Sequence, residues 1–192
     1  MKVWQLRCAN VNDFSMIVPA MESRLEGLFS HIDGRSIDWA YPPVVEYSDA
    51  RSRGKKKRPV ADVGAMQPGV LILSERAENA LGPFLGQFGQ MLKVQTSGGA
   101  DFRFLYNVTN LVKCIDMERS EKTPSGAIWN EVFYDINIPR SASIFKDPST
   151  AMRRIYTNDA GKSMIDQLAT EAGLTGIECG EIPIRPALGG SA

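Results

Sequence analysis

The chain is 192 residues long, 43% hydrophobic and 23% charged, and its 22 basic and 22 acidic side chains cancel. That length buries roughly 70% of the unfolded surface, enough for one substantial core or two small lobes that share one. The balanced charge excludes a whole-molecule field that would draw the protein to nucleic acid or to an anionic membrane, so a charged partner has to be read locally.

Val3 to Cys8 alternates around Trp4, Leu6 and Cys8 and reads as a first strand, followed by the turn-rich Asn10-Val11-Asn12-Asp13. After Pro19, the residues Met21, Leu25, Leu28, Phe29 and Ile32 recur at helical spacing and predict a short amphipathic helix, punctuated by Asp33-Gly34-Arg35. Val44-Val45-Glu46-Tyr47, beyond Pro42-Pro43, reads as a brief strand. Residues 51–58 then carry six basic side chains in eight. No aromatic residue interrupts that run to stack on bases, so it reads as a solvated loop and not as a phosphate-gripping patch.

Pro68 to Ala77 predicts a turn, a covered strand at Val70-Leu71-Ile72-Leu73, and a helix opened by Ser74. Glu75 and Glu78 place negative charge at the positive end of that helix. Ala77, Leu81, Phe84, Leu85 and Phe88 form its apolar stripe, with a kink or restart expected at Gly82-Pro83. From Met91 the pattern turns to strands. Leu92 and Val94 alternate with Lys93 and Gln95, Ser97-Gly98-Gly99-Ala100 turns, and Phe102, Phe104, Tyr106 and Val108 line one face of a second strand, opposite Arg103 and Asn107.

Leu111, Val112, Cys114 and Ile115 make a short apolar segment, and Asp116 to Lys122 reads as an exposed connection. Residues 127–138, rich in Trp129, Val132, Phe133, Tyr134 and Ile136, read as a strand or pair of strands. A last strand at Arg153 to Thr157 leads into a helix capped by Asn158 or Asp159, with Met164, Ile165, Leu168 and Ala172 as its stripe. Gly173 should end it in the left-handed conformation, with Leu174 packing back, and the tail 183–192 reads as loose. The fold class expected is α+β: mostly antiparallel sheet with a few packed helices. Residues 1–192 are read as one domain, with a division into lobes 1–62 and 63–182 left open.

Reactive chemistry is sparse. Cys8, Cys114 and Cys179 are odd in number and far apart, which fits reduced thiols better than disulfides or a zinc site. Gly161-Lys162-Ser163 has the end of a phosphate loop but Tyr156 where that loop needs glycine. His31, the sole histidine, excludes a histidine-based zinc site and sits where an imidazolium would answer a helix C-terminus. Asp116, Glu118 and Glu121, or Asp135 with Asp147, are the carboxylates available for an acid/base pair; exposed loop carboxylates are the ordinary case. The sequon Asn107-Val108-Thr109 lies within a predicted strand, and the stripe from Phe102 to Tyr106 reads as core, for want of a basic residue on its face. No catalytic, cofactor-binding or metal-ligating residue is assigned. The N-terminal stretch is charged where a signal peptide needs an apolar run, and no segment approaches a membrane span, so the expected location is the cytoplasm.

Several segments, taken in order, resemble a bacterial immunity-protein family of polymorphic toxin systems, the contact-dependent and type VI secretion class. They are Val70-Leu71-Ile72-Leu73-Ser74-Glu75-Arg76-Ala77; Tyr106-Asn107-Val108-Thr109-Asn110-Leu111-Val112 with Cys114-Ile115-Asp116 and Glu118-Arg119-Ser120-Glu121 after it; and Ala172-Gly173-Leu174-Thr175-Gly176-Ile177. The likeness spans residues 60–180 and is looser before that, through Trp39 and the later Asp62. The basic run is longer, and the final helix carries extra residues around Gly161-Lys162. The resemblance implies a small cytoplasmic protein that binds a cognate secreted toxin and blocks it by occlusion, without catalysis, cofactor, nucleic acid or membrane; a homodimer stays open. Partner-facing surfaces vary in such families, so no contact residue is carried over. The dense charge cluster Asp116, Glu118, Arg119 and Glu121 is the sequence's own candidate for partner contact. Two competing classes are a small-ligand or enzymatic domain and a nucleic-acid-binding regulator using residues 51–58.

Overall fold

The computed structural model describes residues 1–25, 27, 32–49, 57–99, 101–150 and 153–182. In chain order its elements are β1 (Val3–Cys8), β2 (Met16–Pro19), α1 (Met21–Leu25), β3 (Val44–Ser48), β4 (Val63–Gln67), β5 (Val70–Leu73), α2 (Glu75–Leu85), β6 (Gly89–Thr96), β7 (Phe102–Val108), β8 (Glu121–Lys122), β9 (Ile128–Asn130), β10 (Ile144–Phe145), β11 (Ile155–Asn158), α3 (Asp159–Glu171) and β12 (Ile177–Glu181). Short 3-10 turns occupy Asp135–Asn137 and Pro148–Thr150. The six-stranded sheet runs β2-β3-β6-β7-β5-β4, the four-stranded sheet β10-β11-β1-β12, and β8-β9 is a separate hairpin. Among the described residues every strand ladder is antiparallel except β3 with β6, so the class is α+β.

The hairpin β6–β7 is in register from Gly89 opposite Val108 to Gln95 opposite Phe102. β5 lies along β7, and because side chains alternate across a strand, its four apolar residues serve two cores. Leu71 and Leu73 join Tyr106 and Val108 against Leu81 and Leu85 of α2, Ile165 of α3, and Leu6, Ile144 and Ile155 of the four-stranded sheet. Val70 and Ile72 face the other way, toward Ile17, Val45, Val94 and Leu105. Burying each such leucine or isoleucine contributes about 2 kcal/mol. A third cluster, around Phe145, Tyr156, Cys114, Ile115 and Ile138, seats the residues that follow β7.

Ser74 caps α2 as expected, its Oγ accepting from the Ala77 amide at 3.1 Å. Ser74→Ala should therefore lower stability by about 1 kcal/mol, read by urea unfolding. Gly82-Pro83 does not interrupt the helix, which runs on to Leu85. Pro83 sits in the last turn, where little of the helix follows it, and Phe84 and Leu85 on either side of that turn are buried. Asn158 caps α3 by accepting from the Gly161 amide at 2.8 Å, and Gly173 takes φ +59° with Leu174 packed on the main core.

Two other expectations change. β12 is an additional strand, pairing with β1 from Trp4 opposite Glu181 to Cys8 opposite Ile177. Its approach to the other sheet is close: Gly176, at φ +82°, would put a Cβ 2.2 Å from the Val63 carbonyl oxygen. β1 thus sits between two strands from the far end of the chain while β2 and β3 extend the other sheet. Between 127 and 138 the strand is only Ile128–Asn130, because β8 offers a two-residue edge and the chain then turns. Of the helix expected after Pro19, α1 covers Met21–Leu25, with Met21 exposed; Leu28, Phe29 and His31 lie outside the described residues, as do residues 51–56 of the basic run and the tail 183–192.

Candidate functional site

The stretch after Ile115 is tied to the stretch that returns after β9. Ile115 bridges to Phe133, and the Asp116 amide donates to the Val132 carbonyl at 2.8 Å. Asp116 is only 3% exposed, which corrects the expectation of an exposed connection here. Its Oδ1 accepts from the Glu118 and Arg119 amides, both at 3.0 Å, and so fixes the turn. Burial acts to raise the Asp116 carboxyl, but donation from the Arg119 amide, the Tyr134 hydroxyl and the Glu118 amide outweighs it and holds the group below its ordinary value. Ser120 is buried as well, and its Oγ accepts from the Val132 amide at 2.9 Å.

Of the four residues in the charge cluster, then, Asp116 serves the turn, and Glu118, Arg119 and Glu121 point outward. Glu121 accepts from the Asn130 side chain at 2.5 Å across β8–β9. What the sequence missed is the apolar part of these stretches. Met117 is 39% exposed, Tyr134 41% and Ile136 89%. The β-prone composition masks them. The usable signal was Asp135 and Asn137 bracketing Ile136 just before Pro139, a turn chemistry that ends a strand and throws the middle residue outward.

The other sequence candidates are spent on structure. Asp147 is 2% exposed and accepts from the Cys114 and Ile115 amides at 2.8 and 2.9 Å and from the Ser149 hydroxyl at 2.6 Å. Asp135 stands in the exposed 3-10 turn. Asn107, wholly buried, donates to the Arg35 carbonyl at 2.7 Å, so the sequon is closed in the folded chain. Gly161 is buried in the first turn of α3, and Lys162 pairs with Asp166. Phe102 is 43% exposed and Lys93 Nζ lies 3.7 Å from its ring centroid, so the outer end of that stripe is not core and does have a basic neighbour. All three cysteines are free; burial pushes Cys114 and Cys179 up to about 12, leaving unreactive thiols. Among the described residues no group of three or more His, Cys, Asp or Glu could hold a metal ion.

Two buried ionisable features had no sequence signal. Glu131, with its side chain 1% exposed, pairs with Arg154 and accepts from the Tyr156 hydroxyl at 3.1 Å. Lys146 is wholly buried, and its Nζ has no hydrogen-bond partner. No described helix is long and apolar enough to cross a membrane. Compared with protein-family models and with curated proteins, the chain matches none.

Proposed function

We propose that this protein is an immunity protein: it binds the toxin domain of a secreted bacterial effector in the cytoplasm of the producing cell and occludes the toxin's active site or substrate path. The observation that carries the reading is the pair of stretches joined at Asp116: Met117, Glu118, Arg119 and Glu121 are exposed on one, Tyr134 and Ile136 on the other. Single exposed apolar residues are ordinary on any surface. Three on two stretches that hydrogen bonds join, with an arginine and carboxylates in the same stretches, have the make-up of an interface core and polar rim. The hydrogen bonds of Asp116 and Ser120 hold the backbone in place beforehand, which lowers the entropy lost on docking. A complex of this kind buries on the order of 1,600 Å² in total.

The segments that carry the family resemblance support the same reading from the other side. Leu71 pairs with Tyr106, and Arg76 donates to the Gly173 carbonyl at 3.0 Å, so the three segments meet in the fold. The test takes as its probe the C-terminal toxin domain of a secreted effector, which the proposal expects to be encoded beside this chain. Ile136→Asp should weaken the complex about 30-fold or more while leaving the melting temperature unchanged. Replacing Glu118, Arg119 and Glu121 with alanine together, with Asp116 kept because it caps the turn, should cost about tenfold. A chain that fails to protect cells co-expressing that toxin, or a complex indifferent to both sets of substitutions, sinks the proposal.

A further inference from the structure

We propose that the outer edge of β12 pairs antiparallel with β12 of a second copy of this chain, joining two four-stranded sheets into one. The β1–β12 ladder fixes which groups of β12 are spent and which are open. The Ala9 amide donates to the Gly176 carbonyl at 3.0 Å. Bonded and unbonded pairs alternate along an antiparallel ladder, so Arg7 with Glu178 and Gln5 with Gly180 are the next bonded pairs. Ile177, Cys179 and Glu181 therefore turn their amides and carbonyls away from β1, at the edge where β12 ends its sheet. Among the described residues no main-chain bond from another segment reaches these groups. The opening starts at Ile177, because the Thr175 carbonyl already receives the Val63 amide at 3.0 Å.

The occupant follows from how this row matches itself. A two-fold axis at Cys179 sets Cys179 opposite its own copy and Ile177 opposite Glu181, and each of these bonded pairs exchanges two hydrogen bonds, so no open group is left over. Neighbouring registers fail. An axis at Glu178 would set Glu181 opposite Thr175, whose carbonyl is taken, and an axis at Gly180 would set Ile177 opposite Pro183, which has no amide hydrogen. The side chains agree with the central register. Glu178 falls opposite Gly180 and Glu181 opposite Ile177, so no two carboxylates meet directly. Both carboxylates are already countered on their own chain, Glu178 by Arg7 at 2.6 Å and Glu181 by Lys2. The edge also lacks the devices that keep strands apart: β12 carries no lysine and no proline, and its ladder with β1 has no bulge.

This pairing is independent of toxin inhibition and is read on the isolated full chain. Sedimentation velocity from about 1 to about 500 µM should show a reversible monomer–dimer equilibrium, as a small interface gives. Amide hydrogen exchange followed by NMR supplies the register: the amides of Ile177, Cys179 and Glu181 should gain protection as the dimer forms, while those of Glu178 and Gly180 are protected at every concentration. Glu181→Pro removes an outward amide and breaks no bond to β1, so it should weaken the dimer about tenfold or more in a chain that still folds. Glu181→Ala keeps that amide and should dimerise within about twofold of the parent. A chain that stays monomeric to about 500 µM, a dimer whose three outward amides exchange as in the monomer, or a Glu181→Pro variant that dimerises like the parent overturns the assignment. So does protection of those amides only on adding the toxin domain, which would make the edge a toxin contact.

Discussion

Asp62→Ala should lower the unfolding free energy by about 3 kcal/mol, the loss expected when a partly buried carboxylate with several charge-assisted partners is removed. Asp62 lies in the connection before β4 and ties the sheets together. One carboxylate oxygen accepts from the Ser74 hydroxyl and Arg76 Nε, both at 3.1 Å; the other accepts from Arg76 Nη2 at 2.6 Å and from the amide and hydroxyl of Thr175 at 2.9 and 2.8 Å. Its backbone joins too, the Ser74 amide donating to the Asp62 carbonyl at 2.7 Å. The start of α2 is thereby clamped to the loop that leads into β12. Burial opposes ionisation of Asp62, but Arg76, Thr175 and Ser74 together hold its carboxyl well below the usual carboxylate range.

The pH dependence follows from that direction. The contribution is fully present above the unfolded-state value near 4 and is lost as pH falls through the lower folded-state value. The gap between the parent chain and Asp62→Ala, measured by urea unfolding, should be flat from about pH 6 to 8 and should narrow only below about pH 4. A gap under about 1 kcal/mol at neutral pH would show that the clamp is not what holds the sheets together.

Lys146→Met should do the opposite and stabilise the protein, by about 3 kcal/mol at pH 7. Lys146 follows β10 with no exposed surface and no hydrogen bond to its Nζ. Burial pushes its ammonium down to about 8, and the charge of Asp33 recovers only part of that loss. Below pH 8 the folded chain carries a charge in an apolar setting that the unfolded chain would leave in water, and methionine fills a similar volume without it. As pH rises from about 8 toward 10.5, the unfolded chain still binds the proton that the folded chain has released, so the parent gains stability and the advantage of methionine shrinks. Comparing the two chains at each pH cancels the tyrosines and cysteines that titrate in the same range. Equal stability at pH 7, or a gap that stays constant to pH 10, would contradict the account.

Local chemistry made much of this molecule readable before any coordinates. Ser74 and Asn158 open helices because their side chains answer amides three residues on. Residues 89–108 form a hairpin because alternation and a glycine turn act over a few neighbours. The same local rules misjudged residues 127–138, where aromatic and branched side chains suit a strand but β8 provides almost no edge to pair with.

The candidate site was half visible. Its charges could be read from 116–121, while the burial of Asp116 and the exposure of Ile136 depend on where Val132 and Tyr134 return against that turn. Composition and periodicity settled that the chain is an α+β protein with reduced cysteines and no dominant charge. They are sums over residues or patterns within one element, and need no knowledge of what lies across the core. Which strands flank β1, which carboxylate clamps the sheets, and which ionisable groups end up buried, as at Glu131 and Lys146, were fixed by contacts between residues far apart in the chain, where burial and partner geometry decide and spacing carries no information.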